Sequence, residues 1–149
     1  MNRRSRAREV ALQLLFWRDH NPAADRSAVE RFARERLRDP DLVAFCLDLY
    51  DGVTTQAAAI DARLTEAAEN WRLPRMAAVD RNVLRLGAFE LTSRPDTPPA
   101  VAINEAIELA RRYGAADSAA FVNGVLDRLR QRREEVPATQ ATGQEVPGP

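Results

Sequence analysis

The sequence predicts an all-α fold, a compact bundle of about seven helices, and three observations carry that expectation. Apolar residues recur at three- and four-residue intervals over most of the chain, the spacing of one helix face. Strand signals are scarce: the one Asn-Gly dipeptide, Asn123-Gly124, lies inside a helical pattern and not between two alternating runs. Proline punctuates the chain where helices would start or stop, at Pro22, Pro40, Pro74 and Pro98-Pro99. A length of 149 residues suits one domain with a real core, and no internal repeat is evident.

The first helix is expected from about Ser5 to Asp19, with Ala7, Val10, Ala11, Leu14, Leu15 and Trp17 on its buried face and His20-Asn21-Pro22 ending it. A second begins near Ser27 and turns Val29, Phe32, Ala33 and Leu37 inward. Pro40 opens a third with a wide apolar face (Leu42, Val43, Phe45, Cys46, Leu49, Val53). A fourth runs from about Gln56 to Ala68 along Ile60 and Leu64, and Trp71, Leu73 and Pro74 form the next connection. The fifth, Met76 to Thr92, is apolar at Val79, Val83, Leu84, Leu86 and Leu91, and the proline-stiffened SRPDTPP loop follows it.

The last two helices meet at a sharp corner. Pro98 and Pro99 suit the start of the sixth, whose apolar positions include Val101, Ile103, Ala106, Ile107 and Ala110. Arg111 and Arg112 favour its C-terminal dipole, and Gly114 fits a left-handed C′ position. Asp117 or Ser118 can cap the seventh, which buries Phe121, Val122, Val125, Leu126 and Leu129. Gly124 inside that helix costs about 1 kcal/mol relative to alanine, so a close helix–helix approach is expected there. Residues 136–149 are rich in Pro, Gly, Thr and Gln without periodicity and are expected to be a disordered tail.

Composition narrows the function. Twenty-two basic and 22 acidic residues give zero formal net charge, so any nucleic-acid contact must come from local clustering. Every basic residue of that set is arginine, a bias that a GC-rich genome explains. Arginine nonetheless brings forked phosphate recognition and stacking wherever it clusters. The lone Cys46 lies in the apolar run LVAFCLDLY, where it reads as a core residue, and one cysteine fits a reducing cytosol. No run approaches the roughly 20 apolar residues that span a bilayer. The basic N-terminus leads into an amphipathic segment and not a signal-peptide core, so a soluble cytoplasmic protein is expected.

Catalysis finds little support. His20 is the single histidine, no carboxylates show metal-ligand spacing, and neither metal nor cofactor is expected. Ser5, Ser27, Ser93 and Ser118 lie in no nucleophile-elbow setting, and six glycines form no phosphate loop. Glu105 and Glu108 read as a solvated pair. The physical signal that stands out is Arg3, Arg4, Arg6 and Arg8, four guanidinium groups within six residues. Helical geometry puts Arg4 and Arg8 on one face with Arg3 and Arg6 flanking. Such a cluster offers forked donors to phosphates and flat faces to unstacked bases; a solvated, frayed terminus is the plain alternative. At a helix N-terminus these charges also oppose the dipole, a cost an anion would relieve.

Three stretches carry a family resemblance: RRSRAREVALQLLF (Arg3–Phe16), VDRNVLRLGAFEL (Val79–Leu91) and INEAIELARRYGAADSAAFVNGVLDRL (Ile103–Leu129). In order and spacing they resemble the NusB family of bacterial transcription antitermination factors, over roughly residues 3 to 133. The resemblance implies two small helical subdomains, about 3–68 and 69–135, within a single domain of residues 1–135. It implies a non-enzymatic factor that binds boxA, a short single-stranded element of nascent ribosomal RNA transcripts. It further implies a heterodimer with the ribosomal protein NusE, in the elongating RNA polymerase complex with other Nus factors.

On this resemblance the RNA-binding residues are Arg3, Arg4, Arg6, Arg8, Asp117 and Phe121. An aspartate can accept from base amino groups while arginine supplies affinity; N-capping by Asp117 and core packing by Phe121 are the plain alternatives. Protein-partner positions map onto Phe16, where the family commonly has tyrosine, and Asp80, where it commonly has glutamate. Two other readings stay open: the NusB-like domain of a ribosomal RNA cytosine methyltransferase, and a protein-binding scaffold. A homodimer that covers the arginine face is also compatible with the sequence.

Overall fold

Seven α-helices and one short 3-10 turn are the regular elements of the computed structural model, which describes residues 3–69 and 73–145, with side chains as far as 132. They are α1 (Arg3–His20), α2 (Arg26–Leu37), α3 (Pro40–Thr55), α4 (Ala57–Ala67), the turn Leu73–Arg75, α5 (Ala78–Ser93), α6 (Pro99–Tyr113) and α7 (Ser118–Glu145). The all-α expectation holds, and helix starts fall where the sequence places proline. Pro40 occupies the first turn of α3, and the Asp39 carboxylate caps it by accepting the Asp41 N–H at 2.8 Å. Pro99 opens α6 in the same way. Trp71, expected in the α4–α5 connection, lies outside the described residues.

Helix α5 is the hub. It packs against α1, α3, α4, α6 and α7, and its Val83, Leu84, Leu86, Phe89 and Leu91 are buried. Glycines set how closely two neighbours approach. A Cβ on Gly52 would lie 2.1 Å from Phe89 Cζ, and one on Gly87 would lie 2.6 Å from Leu126 Cδ1. So α3 and α7 seat against α5 where a side chain is missing. The close approach expected at Gly124 is not found: a Cβ there would meet only the Arg128 Nη1, at 3.6 Å. Gly114 also differs from expectation. Its φ of −95° and ψ of −170° are extended, not left-handed. Glycine is needed there for space, since a Cβ would fall 2.6 Å from Ser118 Oγ and 2.8 Å from the Ala110 carbonyl.

Two further departures lie at helix ends. Trp17 is 38% exposed and not buried, because α1 outruns its packing partners: every residue from Phe16 to His20 is at least partly exposed. Helix α7 is drawn to Glu145, through ten residues of the stretch expected to lack regular structure. Gln, Arg and Glu at 131–135 are good helix formers, and a helix already nucleated gains one bond per residue as it extends, except at Pro137, which has no N–H to donate. Residues 146–149 lie outside the described residues.

One ion pair crosses the core. Arg8 is 3% exposed and donates from Nε to Glu90 Oε1 at 2.7 Å and from Nη2 to Glu90 Oε2 at 2.8 Å, a bidentate pair joining α1 to α5. Its Nη1 reaches Glu105 Oε1 of α6 at 3.2 Å, and its guanidinium lies 5.2 Å from the centre of the Phe45 ring of α3. Burial alone would lower the Arg8 pKa, but its hydrogen bonds and charge attraction to Glu90 and Glu105 outweigh that and raise it. One side chain therefore touches four helices.

Removing one partner of such a pair strands a buried charge. Arg8→Met should cost about 3 kcal/mol or more, while Arg8→Met with Glu90→Leu should recover most of the loss; urea unfolding of the three proteins measures both. The glycine assignments give an opposite-sign pair: Gly52→Ala should lower the unfolding midpoint, and Gly124→Ala should raise stability by up to about 1 kcal/mol.

Candidate nucleic-acid interface

The N-terminal arginines divide into two kinds. Arg8 faces the core, so it is withdrawn from the set expected to meet RNA. The physical reason is its helix face: Ala11, Leu12 and Leu15 follow it at three, four and seven residues, and all are buried. Arg3, Arg4 and Arg6 stay at the surface, with side chains 72%, 48% and 41% exposed. Each meets a carboxylate of its own molecule. Arg3 pairs with Asp39 at the start of α3, and Arg4 Nη1 lies 3.5 Å from Asp96 Oδ2. Arg6 Nη1 donates to Glu9 Oε1, whose other oxygen accepts from Arg112 Nη1 at the end of α6.

Glu9 is buried, and burial would raise its pKa; hydrogen bonds from Tyr113, Arg6 and Arg112 outweigh this and hold the carboxyl below its ordinary value. Asp96 is likewise held low: desolvation would raise it, but the hydrogen bond and charge of Arg94, a backbone hydrogen bond and the charge of Arg4 together outweigh that. Between the start of α1 and the loop before α6 lies an open cleft of about 410 Å³, lined by Arg3, Arg4, Asp96, Thr97, Pro98 and Val101, with the buried Arg8 at its floor. Beside it the Phe45 ring carries Arg4 at 4.3 Å and Arg94 at 4.8 Å from its centre. Arg94 was not singled out by the sequence. Its signal was the one basic residue within the proline-stiffened SRPDTPP loop.

The second region is the α6–α7 corner. Ser118 Oγ accepts the Ala115 N–H at 2.9 Å, and the Asp117 carbonyl accepts the Phe121 N–H at 3.1 Å. Asp117 is exposed and Phe121 half-buried, and both line a cavity of about 450 Å³. Asp80 lines the same cavity, with Arg75 and Met76, so the residue expected on a protein-partner surface sits with two expected at RNA. Asp80 Oδ1 is buried there with no hydrogen-bond partner among the described residues. Arg75 and Met76 were missed as site residues: Arg75 ends the short turn, and Met76, expected to open the fifth helix, lies between that turn and α5. Phe16 lies apart from these, 40% exposed, with its ring edge-to-face with His20 at 5.3 Å.

Chemically the two regions suit binding and not turnover. Cys46 is fully buried, and desolvation pushes its thiol up to about 12, so it offers no thiolate. Among the described residues no group of three His, Cys, Asp or Glu could hold a metal, and no helix is long and apolar enough to cross a membrane.

Comparison with known proteins fits this arrangement. The NusB family model matches residues 5–131. The transcription antitermination protein NusB of Sorangium cellulosum is 50% identical over 129 residues, covering 87% of this chain and 92% of the relative. That of Myxococcus xanthus is 45% identical over 133 residues, covering 87% and 95%. Among solved structures, T. maritima NusB is similar with a TM-score of 0.77 and 36% identity over 88% of this chain and 92% of that one. A crystal structure of antitermination factors NusB and NusE in complex with dsRNA shares the fold, with a TM-score of 0.79 and 24% identity over 89% and 98% of the two chains. The chain belongs to the NusB family.

Proposed function

We propose that this chain is a transcription antitermination factor that binds boxA RNA through Arg3, Arg4 and Arg6 and acts as a heterodimer with NusE in the cytoplasm. The observation that carries the reading is family membership over residues 5–131 together with two exposed guanidinium groups, Arg3 and Arg4, at one cleft and a third, Arg6, on the same helix beside them. Arginine at the cleft supplies sequence-independent attraction to phosphates, and the corner cavity with Asp117 and Phe121 supplies acceptors and a ring face for an unstacked base. Phe16, beside exposed Trp17, offers an apolar surface suited to a protein partner. The heterodimer would hold nascent ribosomal RNA to the elongating polymerase complex. The methyltransferase reading is disfavoured, because the relatives matched over 92% and 95% of their own length are antitermination proteins.

Fluorescence-anisotropy titration of a boxA RNA and a scrambled control, with and without NusE, tests the reading. Selective binding that tightens with NusE is expected; equal binding of both RNAs in both conditions would overturn it. The Arg3→Ala/Arg4→Ala/Arg6→Ala variant should bind roughly ten-fold more weakly with unchanged helix content. Three neutralised phosphates set the slope of log K against log salt no steeper than about −2.

A further inference from the structure

Each exposed arginine of the proposed RNA face is already paired, and each carboxylate that holds it has a second holder. Asp39 holds Arg3 and also caps α3 through the Asp41 N–H at 2.8 Å. Asp96 lies 3.5 Å from Arg4 Nη1, while Arg94 Nη2 donates to the same oxygen at 2.9 Å. Glu9 accepts from Arg6 on one oxygen and from Arg112 on the other. Withdrawing Arg3, Arg4 or Arg6 therefore leaves no carboxylate stranded. Arg8 is the opposite case, since Glu90, the carboxylate it holds in a bidentate pair, is itself buried.

We propose that Asp39 and Asp96, with Glu9 behind them, stand in for RNA phosphates on Arg3, Arg4 and Arg6 and so set the affinity threshold that an RNA must pass through its base contacts. The inference rests on the RNA-binding reading above. An incoming phosphate must exchange for a carboxylate, so each contact yields only the difference between two anions. Phosphate contacts carry no sequence information. Discounting them weakens all RNAs alike in the electrostatic part of binding, and leaves base contacts to decide which RNA stays bound. An arginine face without these carboxylates would grip any single strand. The swap is cheap because exposed ion pairs are weak individually, and because Asp39 and Asp96 remain useful afterwards as a helix cap and an Arg94 partner. It also suits the start of α1, where basic residues oppose the helix dipole and some anion is always favoured.

Asp39→Asn and Asp96→Asn test this, singly and together, in the full chain. Asparagine keeps the cap at position 39 and a hydrogen-bond acceptor at 96, so the fold should survive; circular dichroism and the unfolding midpoint check it. Each variant should tighten binding of a scrambled single-stranded RNA by about two- to five-fold. The boxA RNA should gain by a similar factor, because the discount is common to every RNA, and the scrambled RNA then binds at concentrations where the wild type leaves it free. The salt slope should steepen by up to about 0.7 per restored contact. Asp127→Asn, an equal charge change at an exposed position on α7, should leave affinity and slope unchanged. Unchanged affinity in both Asp39 and Asp96 variants, with the wild type binding normally, would overturn the inference while leaving the RNA reading intact. An equal gain from Asp127→Asn would overturn it too, by assigning the effect to net charge. Absence of RNA binding by wild type and variants alike would remove the RNA reading and the inference with it.

Discussion

The buried pair of Arg8 and Glu90 is the constraint on which the rest of the architecture turns. A guanidinium with only 3% of its residue exposed has to be satisfied wherever it sits. Here the satisfying groups come from α5 and α6, with the Phe45 ring of α3 closing one side. The geometry leaves little freedom: a forked donor meets a forked acceptor in one orientation. That fixes the register of α1 against α5, which Asn82 then repeats two turns away by donating to Asp19 at 2.8 Å. Apolar packing alone would tolerate a slide of one helix past another; a bidentate pair at one end and an amide–carboxylate bond at the other do not.

Placing Arg8 inside also decides what the surface arginines can do. Arg4 is one helical turn before Arg8, so holding Arg8 on Glu90 carries Arg4 to the rim of the same helix face, over Phe45 and beside Asp96. Arg3 and Arg6 fall on either side of it, against Asp39 and Glu9. The cleft between α1 and the loop before α6 is thus a product of the core pair, not an independent feature. A change at Arg8 would move these neighbours, because its guanidinium is held by Glu90 and Glu105 and almost wholly buried.

The fold was largely legible because helix periodicity and proline positions are local signals. Pro40 and Pro99 begin helices as read, and Val83, Leu84, Val122, Val125 and Leu126 lie in the core as read. What escaped depended on partners distant in sequence. Arg8 and Glu90 are 82 residues apart, yet each carried a visible mark: a charge aligned with an apolar stripe, Leu12 and Leu15 for one, Val83 and Leu86 for the other. Opposite charges buried in two apolar stripes invite pairing. The glycines show the reverse limit. Gly52, Gly87 and Gly124 are equivalent in sequence, all within helices, and only the position of Phe89 and Leu126 separates those that admit a neighbour from the one that does not.

The candidate site was legible by composition but not by role. Four clustered arginines mark a basic surface at the start of α1, and composition cannot say which of them belongs to solvent. Nor could spacing place Asp80 beside Asp117 and Phe121, since the cavity they share forms only when the start of α5 meets the α6–α7 corner. The structure therefore joins two surfaces that the sequence treats separately. Asp80 Oδ1, buried without a donor among the described residues, makes that cavity chemically incomplete. The face thus offers arginines in one place and acceptors in the other; in nucleic-acid recognition generally, phosphate contacts supply affinity and base contacts supply specificity.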